Sequence, residues 1–260
     1  MKPSLLVTRQ LSFLASGREI FKNFSLSVHA GEFVAVLGRN GAGKSTFLNL
    51  VTGELEPSSG SIEIFGKPLR GWGLKDLAQR RAVMPQATAL NFDYSVLEVV
   101  LLGRLPHQKQ GSAELDRMIA LDCLARVEML DAKDGGYLQL SGGEQQRVHL
   151  ARVLAQVHAD AGIPRLLFLD EPTSSLDLRH QHQMLSLVNE LKQSGVGVVA
   201  ILHDLNLAAQ YADRVAILSN GSLRALDTPN AAMTEENIYA AYNHSVMVSR
   251  HPLKDCPLII

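Results

Sequence analysis

A short glycine-rich segment carries the clearest chemical signal in this sequence. Residues 38–45 match the pattern G-x-x-x-x-G-K-[ST] in full and lie between an apolar run and a helix-like run. In such a loop the glycines allow a tight turn whose N–H groups surround phosphates, a lysine adds positive charge and a hydroxyl reaches Mg²⁺. We therefore expect a nucleotide site, with phosphate contacts from Gly38, Arg39, Asn40, Gly41, Ala42, Gly43, Lys44, Ser45 and Thr46.

Two adjacent carboxylates follow a second apolar run. Asp170 and Glu171 come directly after residues 166–169, which are typical of a buried strand. Beside a phosphate-binding loop, we expect Asp170 to hold Mg²⁺ together with Ser45. Glu171 is then placed to orient or deprotonate a water that attacks the γ-phosphate. Alone, the pair would be ordinary solvated carboxylates; with the loop, it predicts hydrolysis of ATP with Mg²⁺ as cofactor.

A second potential anion site appears far downstream of the first. Ser141 offers a hydroxyl, and Gly142 and Gly143 leave backbone N–H groups accessible. Residues 144–157 are predicted to form a helix, beginning at Glu144, whose positive end would point at the same anion. Since one nucleotide needs one such loop, two of them suggest that ATP is bound from two sides, by two copies of the chain.

The elements that position these residues follow from apolar runs at 33–37, 81–84, 166–169 and 196–202. Each run leads to a polar group: the loop at Gly38, then Gln86, Asp170 and His203. Continuous apolar runs predict a parallel sheet buried on both faces, whose ligands bind beyond the carboxyl ends of the strands. Helices are expected at 44–52 and 178–193.

The remaining segments complete one predicted domain over residues 1–260. The stretch to residue 28 alternates apolar and polar residues, as half-exposed antiparallel strands do. Residues 95–161 lack a convincing strand and are predicted to form a helical lobe inserted between the second and third strands of the sheet. The tail at 231–260 gives little signal, and its last residues are expected to be extended or loose.

Composition narrows the class of protein further. A formal net charge of −1 gives no reason to expect a nucleic acid or an anionic membrane surface as partner. The apolar runs are too short to cross a bilayer, and no long apolar stretch follows the first residues as in a secretory signal. The two cysteines share no metal-ligand spacing and are expected to be unpaired thiols. These features predict a protein that is soluble and cytosolic by itself.

The order of these motifs resembles the ATP-binding subunit of ABC transporters over roughly residues 4–240. That resemblance implies a P-loop NTPase with a RecA-like parallel-sheet core, an N-terminal antiparallel β subdomain and an inserted helical lobe. It also implies that two subunits enclose two ATP molecules, so that Ser141, Gly142, Gly143 and Glu144 act on the nucleotide bound by the partner copy. Glu144 stands where many members have Gln.

The same resemblance implies roles for three further residues. Gln86 corresponds to a glutamine that touches Mg²⁺ and the attacking water, and His203 to a histidine that contacts the γ-phosphate. Asp177 lies in a short loop that crosses the dimer, although it is equally suited to be a helix N-cap. Two positions depart from the pattern: Arg39 replaces a frequent Pro, and Ala15 stands where many members stack an aromatic ring on adenine. Phe13 is the nearby candidate for that role, with packing in the core as the alternative.

The segments 79–86, 91–100 and 103–107 resemble the iron-chelate and vitamin B12 importer branch, and among its members most closely the haem importers. The resemblance implies haem as cargo, with ferric siderophores and cobalamin as alternatives. Implied partners are two transmembrane permease subunits and, indirectly, a periplasmic substrate-binding protein, at the cytoplasmic face of a bacterial inner membrane. A soluble ABC ATPase that acts without a permease is the alternative from another class; such proteins usually join two ATPase domains or carry long coiled coils.

Overall fold

The computed structural model describes residues 2–15, 17–86, 93–108, 112–158 and 162–260. Its largest sheet consists of β3 (Phe33–Leu37), β6 (Arg81–Met84), β7 (Leu166–Asp170), β8 (Gly197–Ile201), β9 (Arg214–Ser219) and β10 (Ser222–Asp227). The strand order is β10-β9-β3-β8-β7-β6, with every pair parallel except the hairpin of β9 and β10. The parallel sheet predicted from four apolar runs is confirmed, and the structure adds β9 and β10 at one edge.

A second sheet covers one face of the first. It contains β1 (Ser4–Ala15), β2 (Arg18–His29), β4 (Ser59–Ile64) and β5 (Lys67–Pro68) in the order β2-β1-β4-β5, with all pairs antiparallel. The predicted alternation is visible in β2, where Phe24, Leu26 and Val28 are buried and the residues between them are more exposed. The antiparallel subdomain is therefore present as expected.

The helices and the last two strands have the following bounds: α1 (Lys44–Thr52), α2 (Leu74–Ala78), α3 (Val96–Leu101), α4 (Ala113–Arg126), α5 (Gly142–Val157), α6 (Leu178–Gln193), α7 (Leu205–Tyr211), α8 (Pro229–Ala232), α9 (Glu235–Tyr242), β11 (Val248–Arg250) and β12 (Pro257–Ile259). Helices α1 and α6 match their predicted bounds. None of the helices in the described ranges is long and apolar enough to span a membrane.

The central strands separate two hydrophobic cores. Alternate residues of β3 face opposite sides: Phe33 and Ala35 belong to a core with the helices α3–α6, whereas Val34 and Val36 pack with α1 and the antiparallel sheet. Such two-sided burial explains why the strands are continuous apolar runs rather than alternating ones. The polar residues that these strands offer for binding or catalysis therefore lie at the strand ends.

The lobe between β6 and β7 is built from α3, α4 and α5, joined by short 3₁₀ turns. Buried Arg104 ties it together: its Nε lies 2.8 Å from Asp116 Oδ1 on α4, and its Nη1 donates to Ala155 O on α5 at 2.7 Å. Gly103 allows this close approach, since a Cβ there would lie 2.2 Å from Arg152 O. The inserted helical lobe is thus confirmed over its described residues.

The C-terminal segment is more ordered than the sequence suggested. Helices α8 and α9 pack on the hairpin of β9 and β10. The strands β11 and β12 pair with each other, and β12 lies against α7. Asn206 of α7 bonds Ile259 twice, accepting from its N–H at 2.8 Å and donating to its carbonyl at 3.0 Å. The last residues were expected to be extended or loose: the extended alternative is confirmed by β12, and the loose one is wrong because long-range hydrogen bonds hold the end.

Candidate functional site

The phosphate loop, residues 38–45, joins β3 to α1. Lys44 is 6% exposed, and its Nζ donates to Gly38 O at 2.7 Å and to Arg39 O at 3.2 Å. Burial lowers the pKa of Lys44, and Glu171 and Asp170 oppose that shift. Gly41 has φ 79° with open space where a Cβ would be, which leaves its backbone free to approach a ligand. The loop therefore presents a cation and bare backbone, as a phosphate site requires.

Asp170 is the last residue of β7 and lies behind the loop. It is 8% exposed, and its Oδ1 is buried without a hydrogen-bond partner among the described atoms. Desolvation raises the pKa of Asp170, with a further contribution from Glu171, while Lys44 and His203 act in the opposite direction. An unsatisfied buried carboxylate oxygen is costly by itself and is well suited to a hard cation.

Glu171 is held between two other predicted residues. Gln86 Nε2 donates to Glu171 Oε2 at 2.6 Å, and His203 Nε2 contacts the second oxygen, Oε1. The backbone of Glu171 has φ 50°, an uncommon value for a non-glycine residue, and its N–H donates to Ile201 O. The ends of β6, β7 and β8 thus bring Gln86, Glu171 and His203 together, as the strand order requires.

These residues share one open cleft of about 500 Å³. Its walls combine loop residues with the carboxylate cluster: Ile20, Asn40, Gly41, Gly43, Lys44, Ser45, Thr46, Gln86, Glu171 and His203. Gly38, Arg39 and Ala42 belong to the loop but do not line the cleft, and neither does Asp170. The structure therefore assembles most of the sequence-predicted site and leaves Ser141–Glu144 and Asp177 outside it.

The signature loop, residues Ser141, Gly142, Gly143 and Glu144, stands at the N-terminus of α5. Ser141 Oγ accepts from Glu144 N at 3.4 Å, while the Glu144 carboxylate accepts from Ser141 N at 2.8 Å and from its Oγ at 2.6 Å. This reciprocal capping box lowers the pKa of Glu144. Gly142 has no atom within 4 Å of a built Cβ, so its backbone is accessible.

Asp177 caps α6. Its Oδ1 accepts from His180 N at 2.9 Å and lies 2.8 Å from His180 Nδ1. The loop before it approaches the signature loop, since a Cβ on Gly143 would lie 3.1 Å from Ser175 O. The capping role is visible within one chain, and the role across a dimer stays a prediction.

Some site residues were missed by sequence reasoning. Ile20 lines the cleft, whereas Phe13 is half-buried against the core around α1 and pairs in register with Phe21. Gln146 on α5 donates from Nε2 to Pro172 O at 3.0 Å and to Glu171 O at 3.3 Å, which links the signature helix to the strand-end carboxylate. Only strand register and tertiary packing reveal these positions.

The described parts of the segments that resembled one transporter branch contact the C-terminal part of α5, where Gln156 Nε2 donates to Arg81 O at 3.1 Å. Gln79 Nε2 donates to Pro106 O at 2.8 Å, so two of these segments contact each other. Beside them is a mostly apolar groove of about 350 Å³, whose wall includes Trp72, Leu74 and Arg81. Asn91 and Phe92, which contributed to the resemblance, lie outside the described residues.

A phosphate loop on a parallel sheet, a strand ending in paired carboxylates and a glycine-rich helix cap outside that cleft are the features expected of an ABC-type ATPase. A family model described as ABC transporter matches residues 21–174, and the chain belongs to this family.

Individual relatives narrow the comparison. The hemin import ATP-binding protein HmuV of Deinococcus radiodurans is 54% identical over 258 residues, covering 99% of this chain and 97% of the relative. The protein of the same name from Gloeobacter violaceus is 46% identical over 94% of this chain and 90% of its own length. Among solved structures, an inward-facing putative metal-chelate type ABC transporter matches with a TM-score of 0.81 at 27% identity, covering 99% of this chain and 97% of that one.

Proposed function

We propose that this chain is the ATP-binding and ATP-hydrolysing subunit of an ABC importer that takes up haem (hemin) across the inner membrane. The observation that carries the proposal is full-length similarity to hemin import ATP-binding proteins at 54% and 46% identity. Similarity that reaches from the phosphate loop through the helical lobe and tail includes the segments that distinguish importers from one another, and not only the shared ATPase motifs.

In this proposal the residues around the cleft have different roles in ATP hydrolysis. Lys44 leaves the carbonyls of Gly38 and Arg39 to bind the terminal phosphates. Glu171 accepts a proton from the attacking water, and Gln86 and His203, each in contact with one of its oxygens, orient that carboxylate. Their joint contact with one base supports a shared role.

The chemistry of three residues suits Mg²⁺. The buried Asp170 Oδ1 lacks a hydrogen-bond partner among the described atoms, and Ser45 and Gln86, which line the cleft, carry further oxygen atoms. We propose these three residues as its ligands, directly or through water. When bound, the ion would neutralise charge on the phosphates.

The signature loop is proposed to act on ATP bound by a second copy of the chain. Within one chain it is absent from the walls of the cleft, yet its glycine backbone is accessible and begins a helix of 16 residues. The positive end of that helix supports an anion contact that a single chain does not use. Asp177, beside the signature loop, would link the two sites of the dimer.

The apolar groove lined by Arg81 and Trp72 is the proposed docking surface for the permease. Leu74 on α2 lines it and is 89% exposed, and Arg81 is the first residue of the strand that leads to Gln86. Two permease subunits would hold the ATPase dimer at the cytoplasmic face of the membrane, with a periplasmic binding protein delivering cargo. The similarity to a metal-chelate type transporter supports ferric siderophore or vitamin B12 import as the alternative.

The Glu171→Gln variant tests the catalytic proposal. It keeps the shape of the side chain and removes its basicity, so we expect ATP binding to persist while hydrolysis falls by about a hundredfold and a closed dimer accumulates. Equilibrium ATP binding, phosphate release and sedimentation would measure these effects, with Glu114→Gln, at an exposed position of α4, as the control. Hydrolysis at the wild-type rate would exclude Glu171 as the base.

Cargo is tested in cells rather than in the isolated subunit. A deletion strain should lose growth on haem as sole iron source and regain it when the gene is restored. Loss of growth on a ferric siderophore instead would favour the alternative cargo. Copurification of a polytopic permease with the tagged subunit would exclude the soluble, permease-free class.

A further inference from the structure

The first glycine of the phosphate loop is bound by a tyrosine from the far end of the chain. Gly38 N–H donates to Tyr242 Oη at 3.0 Å, across 204 residues of sequence. Tyr242 is the last residue of α9, and burial raises the pKa of its hydroxyl to about 12. The group therefore remains a neutral phenol over the whole physiological pH range.

Gly38 occupies a tightly constrained position. Its φ is 150°, and a Cβ there would lie 2.6 Å from Leu218 O of β9. The residue is buried, so its N–H needs an acceptor, and the Tyr242 hydroxyl provides it. Its carbonyl accepts from Lys44 Nζ at 2.7 Å. Two side chains thus hold the two peptide groups that flank Gly38.

These two contacts differ in what ATP would do to them. In the proposed function, Lys44 turns from the Gly38 carbonyl to the phosphates. The Tyr242 bond does not compete with a phosphate, because it engages the N–H at the base of the loop, and Gly38 does not line the cleft. It is the side-chain contact that remains on Gly38 in both states.

Helix α9 is itself anchored to the sheet, so it can act as a support. Ser219 Oγ at the end of β9 donates to Ala240 O at 2.9 Å, and Arg224 Nε of β10 donates to Asn237 Oδ1 at 3.1 Å. Glu235 accepts from Val248 N at 3.1 Å, which joins α9 to β11. The helix is therefore fixed independently of the tyrosine hydroxyl.

We propose that Tyr242 is a positioning residue for the ATP site. From its place at the end of α9, it holds the start of the phosphate loop in the conformation that binds ATP. This inference rests on the proposed ATP-binding function. It assigns the C-terminal segment a part in nucleotide affinity, through a residue that lies outside the cleft and touches neither phosphate nor water.

The test compares Tyr242→Phe with Tyr239→Phe in the full chain. Tyr239 lies on the same helix but is 53% exposed, so its variant controls for loss of a tyrosine hydroxyl from α9. We expect Tyr242→Phe to weaken ATP binding and raise the KM for ATP by about fivefold to tenfold, with kcat changed less than twofold. Tyr239→Phe should leave both constants as in the wild type.

A second variant separates positioning from a loss of folding. Ser219→Ala removes one of the hydrogen bonds that anchor α9 and leaves the hydroxyl of Tyr242 in place, so KM should rise in the same direction by a smaller factor. In the double variant the effects should be less than multiplicative, because both act through one contact. All binding measurements would be made well below the unfolding temperature of each variant.

The possible outcomes distinguish a failure of the proposed function from a failure of the positioning role. Wild-type protein that neither binds nor hydrolyses ATP would overturn the proposed function. Wild-type binding with the same KM and affinity in Tyr242→Phe would overturn only the positioning role. A fall in kcat at unchanged KM, or a lower unfolding temperature with unchanged KM, would also overturn it.

Discussion

The phosphate loop and the signature loop both present glycine backbone at the start of a helix, but they are held in different ways. The phosphate loop is fixed by distant parts of the chain: Gly38 by Tyr242 and Leu218, and Gly43 by the ring of Phe21, which a Cβ would approach to 2.9 Å. The signature loop is held by its own residues, through the capping box of Ser141 and Glu144.

This difference separates a site that is complete from one that is not. The phosphate loop carries a buried cation, Lys44, above which a cleft of about 500 Å³ is open. At the signature loop, the Glu144 carboxylate accepts from the N–H and the hydroxyl of Ser141, and the loop does not line the cleft. In the proposed function, the phosphate loop binds phosphate within its own chain, whereas the signature loop contributes to a phosphate bound by a second copy.

Removing the cation should produce the largest effect. In Lys44→Ala we expect ATP affinity and hydrolysis to fall by at least about a hundredfold, because the buried ammonium that lines the cleft is lost. Equilibrium binding of labelled ATP measures the loss. The control is Lys133, whose side chain pairs with neighbouring Asp134. Its Lys133→Ala variant should bind ATP normally. Near-normal affinity in Lys44→Ala would mean that the phosphate loop is not the primary site.

The parts of the site that the sequence revealed are those set by local pattern. Strands β3 and β6 were predicted to the residue because a continuous apolar run leads directly to each polar group. The strand order then forced Gln86, Glu171 and His203 together, as observed. The confirmed fold class rests on these patterns together with the resemblance of the motifs to ABC transporter ATP-binding subunits.

The parts that escaped prediction depend on contacts between distant segments. Ile20 faces the cleft because of the register of β1 with β2, which an alternating pattern alone does not specify. The C-terminal segment looked uninformative because its anchors, such as Asn206 to Ile259, pair residues with no local signal. Tertiary hydrogen bonds of this kind are invisible to periodicity.

A pair of matched serines sharpens the comparison between the loops. Ser95 with Glu98 at the start of α3 forms the same capping box as Ser141 with Glu144. Changing either serine to alanine should cost about 1 kcal/mol of folding stability. Only Ser141→Ala should also reduce ATP hydrolysis, by about tenfold, since its hydroxyl is proposed to meet the partner's nucleotide.

Urea unfolding and phosphate release would measure the two quantities separately. The rate of ATP hydrolysis should be followed over a range of protein concentrations, because the Ser141 hydroxyl is proposed to act only when two copies of the chain have associated. Equal losses of hydrolysis in Ser141→Ala and Ser95→Ala would reduce the signature loop to an ordinary helix cap.

The smallest expected effect concerns the helix behind the signature loop. His149 of α5 is 6% exposed, and its Nε2 shares a hydrogen bond of 2.7 Å with Tyr137 Oη. Burial, with a contribution from Arg152, lowers the pKa of His149 to about 4. In the unfolded chain a histidine takes up a proton near pH 6.5. The contribution of neutral His149 to the free energy of unfolding is therefore fully present above that pH and is lost as the pH falls towards 4.

From pH 7 to pH 5.5 this residue should therefore remove about 1 kcal/mol from the free energy of unfolding. The His149→Gln variant should show a shallower decline over that interval, and His244→Gln, on an exposed residue, should decline as the wild type does. Urea titrations at the two pH values measure the difference. A shallower decline in His149→Gln would assign part of the acid loss to the helix that carries the signature loop, whereas parallel declines in all three proteins would exclude His149 as its source.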